Sequence, residues 1–262
     1  MSPSTTAAAR GRCPSLSLLL DAPTLAAVAV IAAVAAVVSG VGGFGTGVIL
    51  AAALAPMIGI KAVIPVLAVA GIIINAGRFW FYRASLERHT LALVVASSLP
   101  FLVLGTWIYA ALDARVLGTL LGLIVIASIP LRRVLKRKNI SLDRRSLAIG
   151  SGVFGLATGI ATGTGVIMVT LLLGTGMAGT AVLATDAMIS IALDVCKAAL
   201  FHRFALLDAQ SFSTGLVIGV ATIPGSAVAA WLVTRMHAHL HVLFMEALIV
   251  IGGASMIVNS WR

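Results

Sequence analysis

The chain has 262 residues, of which 60% are hydrophobic and only 10% are charged, and its mean hydropathy is +1.13. Because soluble domains carry about 25% charged residues, this composition excludes an ordinary soluble domain and indicates an integral membrane protein. The net charge of +10 predicts basic loops retained on the cytoplasmic side of a bilayer, and no nucleic-acid partner is expected. Cys13 and Cys196 lie in no CxxC or Cys/His pattern, so no metal site, disulfide framework or cofactor is expected.

Apolar runs dominate the chain after a polar tail at residues 1–24, which is predicted to be disordered. A bilayer-spanning helix needs about 20 apolar residues, so the runs predict an all-α polytopic membrane protein rather than a β-barrel. The eight runs cover residues 25–58, 62–82, 90–112, 115–131, 147–173, 178–200, 210–234 and 240–259.

A glycine-rich stretch, GVGGFG at 40–45, interrupts the first run. Each glycine inside a helix costs about 0.8–1 kcal/mol relative to alanine, so the stretch needs a compensating role. A dinucleotide fingerprint is rejected because no soluble strand precedes the glycines and no acidic residue follows about 20 residues on, and a phosphate loop is rejected because no GK[ST] follows. Two interpretations stay open: close helix packing through small residues, and a broken helix whose free N–H groups point at an anion, which is favoured.

The two halves of the chain repeat three short patterns. GTGVI at 45–49 recurs unchanged at 163–167, which argues for a shared role beyond packing. The other matches are FYRASL with FHRFAL at an offset of 120, and Ser98-Leu99-Pro100 with Thr222-Ile223-Pro224. These matches predict an internal duplication, with transmembrane repeats at 25–131 and 147–262.

A basic linker at residues 132–146 separates the repeats, with seven Lys and Arg residues against Asp143 alone. It is predicted to be cytoplasmic. If every run crosses once, both termini join the linker inside, together with Arg83 and Arg203. Alternatively, runs one and five are re-entrant hairpins and the two halves are inverted.

Polar residues in the middle of runs are expensive in a membrane and are therefore functional candidates. Asp194 and Lys197 are three residues apart and can pair on one helix face. Arg78 is either a snorkelling residue near a helix end or, with Lys197, part of an anion site. Asp186 is two turns before Asp194 on one face, and both are candidates for proton coupling. Glu246 is assigned to the outer end of run eight, and the remaining polar cluster is expected to be surface histidines: His237, His239 and His241.

The candidate substrate-binding residues come from both glycine motifs and from runs two and six. They are Gly42, Gly43, Gly45, Thr46, Gly47, Asn75, Arg78, Thr162, Gly163, Thr164, Gly165 and Lys197.

With GVGGFGTGVIL at 40–50, GIATGTGVIM at 159–168, Pro100 and Pro224, the chain resembles the sulfite exporter TauE/SafE family of bacterial membrane permeases. The resemblance implies a multi-pass transporter of the bacterial inner membrane. Its implied substrates are sulfite, sulfonates such as sulfoacetate, or related organic acids, and the motif glycines would face the translocation site. The second motif has fewer glycines than the first, so the halves need not bind equally. An anion channel and a membrane-embedded enzyme are the alternatives.

Overall fold

The computed structural model describes residues 26, 29–33, 46–137, 142–233, 250, 254, 257, 258 and 261. Within these residues the chain is helical and forms no strand. The helices are α1 (Thr46–Ile58), α2 (Ile60–Tyr82), α3 (Arg88–Ala111), α4 (Ala114–Arg137), α5 (Arg144–Ile160), α6 (Gly165–Gly174), α7 (Thr180–Arg203) and α8 (Ala209–Val233), with a 3-10 turn at Arg83–Ser85 after α2. Several predicted residues lie outside the described residues: Gly42, Gly43, Gly45, His237, His239, His241 and Glu246, as does the side chain of Thr46.

The helices flanking the basic linker are longer than the apolar runs predicted. α4 continues to Arg137 and α5 begins at Arg144, so part of the predicted linker is helical. The carboxylate of Asp143 caps α5 by accepting a hydrogen bond from the Ser146 N–H at 3.2 Å. Hydrogen bonds from the side chain and then the backbone of Ser146 lower the pKa of Asp143. Lys and Arg have high helix propensity, so the helices continue into the basic linker beyond the ends of the apolar runs.

The two central helices, α2 and α7, run antiparallel along their whole lengths. At one end the Ser85 hydroxyl, just after α2, lies 3.0 Å from the Thr180 hydroxyl at the start of α7. At the other end the Tyr109 hydroxyl donates to the Ile60 carbonyl at 3.0 Å, and its ring packs against Phe201 with centroids 5.1 Å apart. The start of α2 therefore lies beside the end of α7.

Helices α3 and α5 run parallel and in close contact. The Ser98 hydroxyl donates to the Ser151 carbonyl at 2.8 Å. Further along both helices, a β-carbon on Gly105 would lie 3.1 Å from the Gly159 Cα atom. The second contact lies later in both helices than the first, so the two helices point in the same direction. α3 and α5 therefore begin at the same end of the bundle, which we call the linker end.

The fifth apolar run is a re-entrant hairpin. Residues 161–164 are non-helical and separate α5 from α6, with Gly163 at φ +82°, a backbone conformation that glycine adopts readily. The Gly174 carbonyl at the end of α6 accepts a hydrogen bond at 2.7 Å from the Leu142 N–H, just before α5. The chain therefore returns to the linker end, which agrees with the alternative of a re-entrant hairpin for run five and not with a single crossing.

Because of this hairpin, every later helix runs in the direction opposite to the one that a single crossing by run five would give it. Arg203 at the end of α7 lies at the opposite end of the bundle from Arg83, not on the same side. The Trp261 indole donates to the Thr119 hydroxyl at 3.1 Å, which puts Trp261 near the start of α4 and away from the linker end. A shared side for the C-terminus and the linker, which followed from the single-crossing alternative, does not agree with this position of Trp261.

The surface and length of the helices suit a bilayer. The segments Ile60–Ser85 and Arg88–Ala111 are long and apolar enough to cross a membrane. Large apolar side chains such as Trp80 and Trp107 point outward and are 66% and 58% exposed. α1 and α6 are apolar but shorter, as expected for helices that end inside the bundle.

Candidate functional site

A cavity of about 150 Å³ lies at mid-length of α2 and α7, where α1, α5 and α6 also meet. A cavity needs only about 10–15 Å³ of such volume to hold one water, so this space can hold several. Pockets for drug-sized ligands are about 300–1,000 Å³. The cavity therefore suits a small solute.

The two copies of the repeated glycine motif touch each other at this cavity. A β-carbon on Gly47 would collide with the Thr162 hydroxyl, and one on Gly163 would collide with the Val48 side chain. Only glycine allows this approach at either position. As a result, the first described turn of α1 lies beside the break that precedes α6.

The N-terminus of α6 faces the cavity without a side-chain cap. Thr164 precedes the helix but makes no capping hydrogen bond; its hydroxyl instead lies 2.7 Å from the Thr158 hydroxyl. The first N–H groups of a helix have no partner within it, and they carry partial positive charge. Gly163, Thr164 and Gly165 all line the cavity, so this positive end can meet an anion there.

Arg78 crosses from α2 to α7 rather than snorkelling toward the bilayer surface. Its Nη2 atom lies 2.6 Å from Asp186 Oδ2, and the two side chains are 26% and 3% exposed. Its Nη1 atom donates to Asn75 Oδ1 at 3.3 Å. The second oxygen of Asp186, Oδ1, is buried and has no hydrogen-bond partner among the described residues.

Lys197 forms the second ion pair of the cavity. Its ammonium group lies 3.1 Å from Asp194 Oδ1 and 3.5 Å from the Thr158 carbonyl. That carbonyl belongs to the last turn of α5, where the helix dipole is negative. Lys197 therefore stabilises the helix end at the break while it neutralises Asp194.

The two ion-pair helices share one local pattern. Asn75 and Arg78 are three residues apart on α2, and Asp194 and Lys197 are three apart on α7, at a common offset of 119. In each case an oxygen acceptor precedes a cation and contacts it. The cavity thus receives one acceptor–cation unit from each half of the chain.

The structure brings most of the predicted site residues together. Those lining the cavity are Gly47, Asn75, Arg78, Thr162, Gly163, Thr164, Gly165, Asp186, Asp194 and Lys197. Gly71 and Ser190 also line it and were not predicted. Ser190 is four residues from both aspartates, so helical spacing was a signal for it; Gly71, a glycine in an apolar helix, had only a weak one.

Comparison with known families gives the class of the protein. The model of the family described as "Sulfite exporter TauE/SafE" matches residues 28–256. The chain belongs to the TauE/SafE family. This TauE/SafE protein is therefore an integral membrane transport protein, of a family that carries sulfite or related anions. Comparisons with the curated proteins and with the solved structures gave no match.

Proposed function

We propose that this TauE/SafE protein is a secondary transporter of small anions in the bacterial inner membrane, with sulfite, sulfonates such as sulfoacetate, or small organic acids as substrates. The observation that carries the proposal is the convergence of the uncapped N-terminus of α6, the first described turn of α1 and Arg78 on one cavity of about 150 Å³. Helix N-termini near the midplane are a recurrent way of holding anionic substrates in secondary transporters.

An inverted duplication is the architecture that best accounts for the helix directions. α2 and α7 correspond at an offset of about 120, and each follows a glycine with positive φ, Gly59 at 82° and Gly179 at 58°. Corresponding helices that pack antiparallel belong to halves of opposite orientation. The halves are residues 25–131 and 147–262, with the linker 132–146 on the cytoplasmic side, where its positive charge is retained.

The anion is held by groups of three kinds. The N–H groups at the start of α6 and the hydroxyls of Thr162 and Thr164 donate hydrogen bonds to it. Arg78 supplies the charge and a planar set of donors. Lys197, which is paired with Asp194, holds the Thr158 carbonyl at the end of α5 and so positions the break beside the anion.

The glycine motif of the first half, at residues 40–50, forms part of the cavity surface next to the motif of the second half. Gly47 is its described member in the cavity. Thr46 and the glycines Gly42, Gly43 and Gly45 are assigned to the same surface because they share the motif of the second half.

The test is counterflow in proteoliposomes loaded with unlabelled sulfite. A carrier accumulates labelled sulfite transiently against its gradient, whereas a channel only equilibrates it. The double variant Arg78→Gln/Asp186→Asn removes the cation without leaving a buried carboxylate unpaired and should abolish counterflow. Arg83→Gln, an exposed arginine near the end of the same helix, is the matched control and should retain it; equal loss in both variants contradicts the assigned site.

A further inference from the structure

We infer that Asp186 is the internal occupant of the Arg78 anion site, and that a substrate anion binds there together with one proton that is taken up by Asp186. The inference rests on the proposed function and deepens it, because it specifies what must happen to the existing ion pair when the substrate arrives.

The contact between Arg78 and Asp186 shows why the anion cannot simply be added. The carboxylate of Asp186 already lies 2.6 Å from the guanidinium group and is only 3% exposed. An anion entering beside this pair would place two negative charges against one cation. An uncompensated charge is strongly unfavourable in a poorly solvated space.

The second ion pair offers no spare cation. Lys197 is 5% exposed, and its ammonium group is held by Asp194 at 3.1 Å. Within the described part of the cavity lining, the four charged side chains form two pairs and sum to zero. Anion entry must therefore be balanced by a proton or by a co-transported cation.

The proton has a structurally defined acceptor. Asp186 Oδ1 is buried and lacks a hydrogen-bond partner among the described residues, whereas Oδ2 faces Arg78. When Oδ1 takes a proton, the carboxyl group becomes neutral and Arg78 is released to pair with the substrate anion. In the reverse step the anion leaves, the proton leaves, and the ion pair forms again.

Other titratable groups near Asp186 are engaged elsewhere or lie toward the linker end. α6 has none, and the basic residues of α5 lie in its first turn. Among the described residues, Arg78 is the charged group at ion-pair distance from Asp186. The remaining charged or titratable groups on the elements packed against α7, and on α7 toward the cavity, are Lys61, Tyr82, Arg83, Glu87, Arg88, His89, Tyr109, Asp194 and Lys197. Lys61 and Tyr109 lie at the opposite end of α2 from Arg78.

The proton count on anion binding tests the inference. Methanesulfonate is the probe, because it is fully ionised and any proton taken up must come to the protein. Calorimetric titration of the purified protein in two buffers of different ionisation enthalpy, at one pH, should show uptake of close to one proton per bound anion. Where Asp186 is ionised in the free protein, the affinity should fall by up to about tenfold per unit rise in pH, as linkage requires.

Two variants assign the proton to its group. Asp186→Asn should bind methanesulfonate with no proton uptake and a pH-independent affinity. Glu87→Gln is the matched control, because it removes an exposed carboxylate that precedes α3 and does not line the cavity; it should retain the wild-type proton count.

The outcomes separate the inference from the proposed function. Saturable binding to the wild-type protein without proton uptake overturns the inference and leaves an anion transporter in place. Undiminished uptake in Asp186→Asn also overturns it. Absence of saturable binding overturns the proposed anion site, and the inference with it.

Discussion

The carboxylate of Asp194 on α7 occupies the space that a β-carbon on residue 71 of α2 would need. Gly71 therefore lets the two central helices approach at the level of the cavity. Because Asp194 is also held by Lys197, it cannot move aside without disturbing that ion pair. The separation of the helices and the geometry of the second pair are set by the same contact.

Replacement of Gly71 by alanine should lower the stability of the protein by about 1–3 kcal/mol, the usual cost of overpacking a tight interface. Gly77→Ala is the control on the same helix, since a β-carbon there meets nothing within 4 Å; it should be neutral or stabilising, by up to about 1 kcal/mol. Unfolding in detergent, followed by helical circular dichroism, measures both. Equal effects would show that the Gly71 contact does not limit packing.

Removal of Lys197 alone should be more damaging than removal of its ion pair. Lys197→Met leaves Asp194 buried without a cation, which costs about 3–5 kcal/mol. The double variant Asp194→Asn/Lys197→Met removes both charges and should recover much of that loss. The same unfolding assay compares the two variants. A double variant no more stable than Lys197→Met would mean that the contact of Lys197 with the Thr158 carbonyl, not the ion pair, carries its contribution.

Arg78→Lys should weaken anion binding even though the charge is kept. Arg78 contacts Asn75 and Asp186 through two different nitrogens, and a lysine ammonium cannot reproduce this planar arrangement. We expect a loss of about tenfold or more in affinity for methanesulfonate, or about 1.4 kcal/mol. Arg83→Lys serves as the control. Retention of wild-type affinity in Arg78→Lys would reduce the role of Arg78 to that of a point charge.

The re-entrant hairpin predicts which face of the membrane exposes the loop between α6 and α7. In a background with Cys13 and Cys196 replaced by serine, Ala178→Cys should react with an impermeant maleimide from the same face as Ala84→Cys. Asp113→Cys should react from the opposite face. Labelling of Ala178→Cys together with Asp113→Cys would restore the single-crossing topology.

The sequence predicted helix positions well because a helix that crosses lipid must consist of about 20 mostly apolar residues, and such runs are visible in the sequence. α2, α3 and α8 lie within two residues of their apolar runs. It left the path of run five open between a single crossing and a re-entrant hairpin, because hydropathy measures how long an apolar run is and not whether the chain turns back within it. That turn depends on a few residues around Gly163.

The site was predictable as a set of residue types but not as a set of contacts. Glycine destabilises a helix and a charged residue is unfavourable in a membrane. These two free-energy costs identified both glycine motifs and the polar residues of α2 and α7 as functional candidates. The partner of Arg78 was not predictable, because Asp186 is 108 residues away and their meeting depends on the antiparallel register of two helices. Sequence reasoning paired Arg78 with the bilayer surface or with Lys197 for that reason.

The shortness of α1 and α6 sets the thickness of the barriers around the cavity. At 1.5 Å per residue, the 10 residues of α6 extend about 15 Å toward the linker end, and the 13 residues of α1 extend about 20 Å toward the other end. A bilayer core is about 30 Å thick, so each of these helices covers only part of its depth. On the side of each of these helices, the cavity is therefore separated from the face of the membrane by less helix than a full membrane span contains.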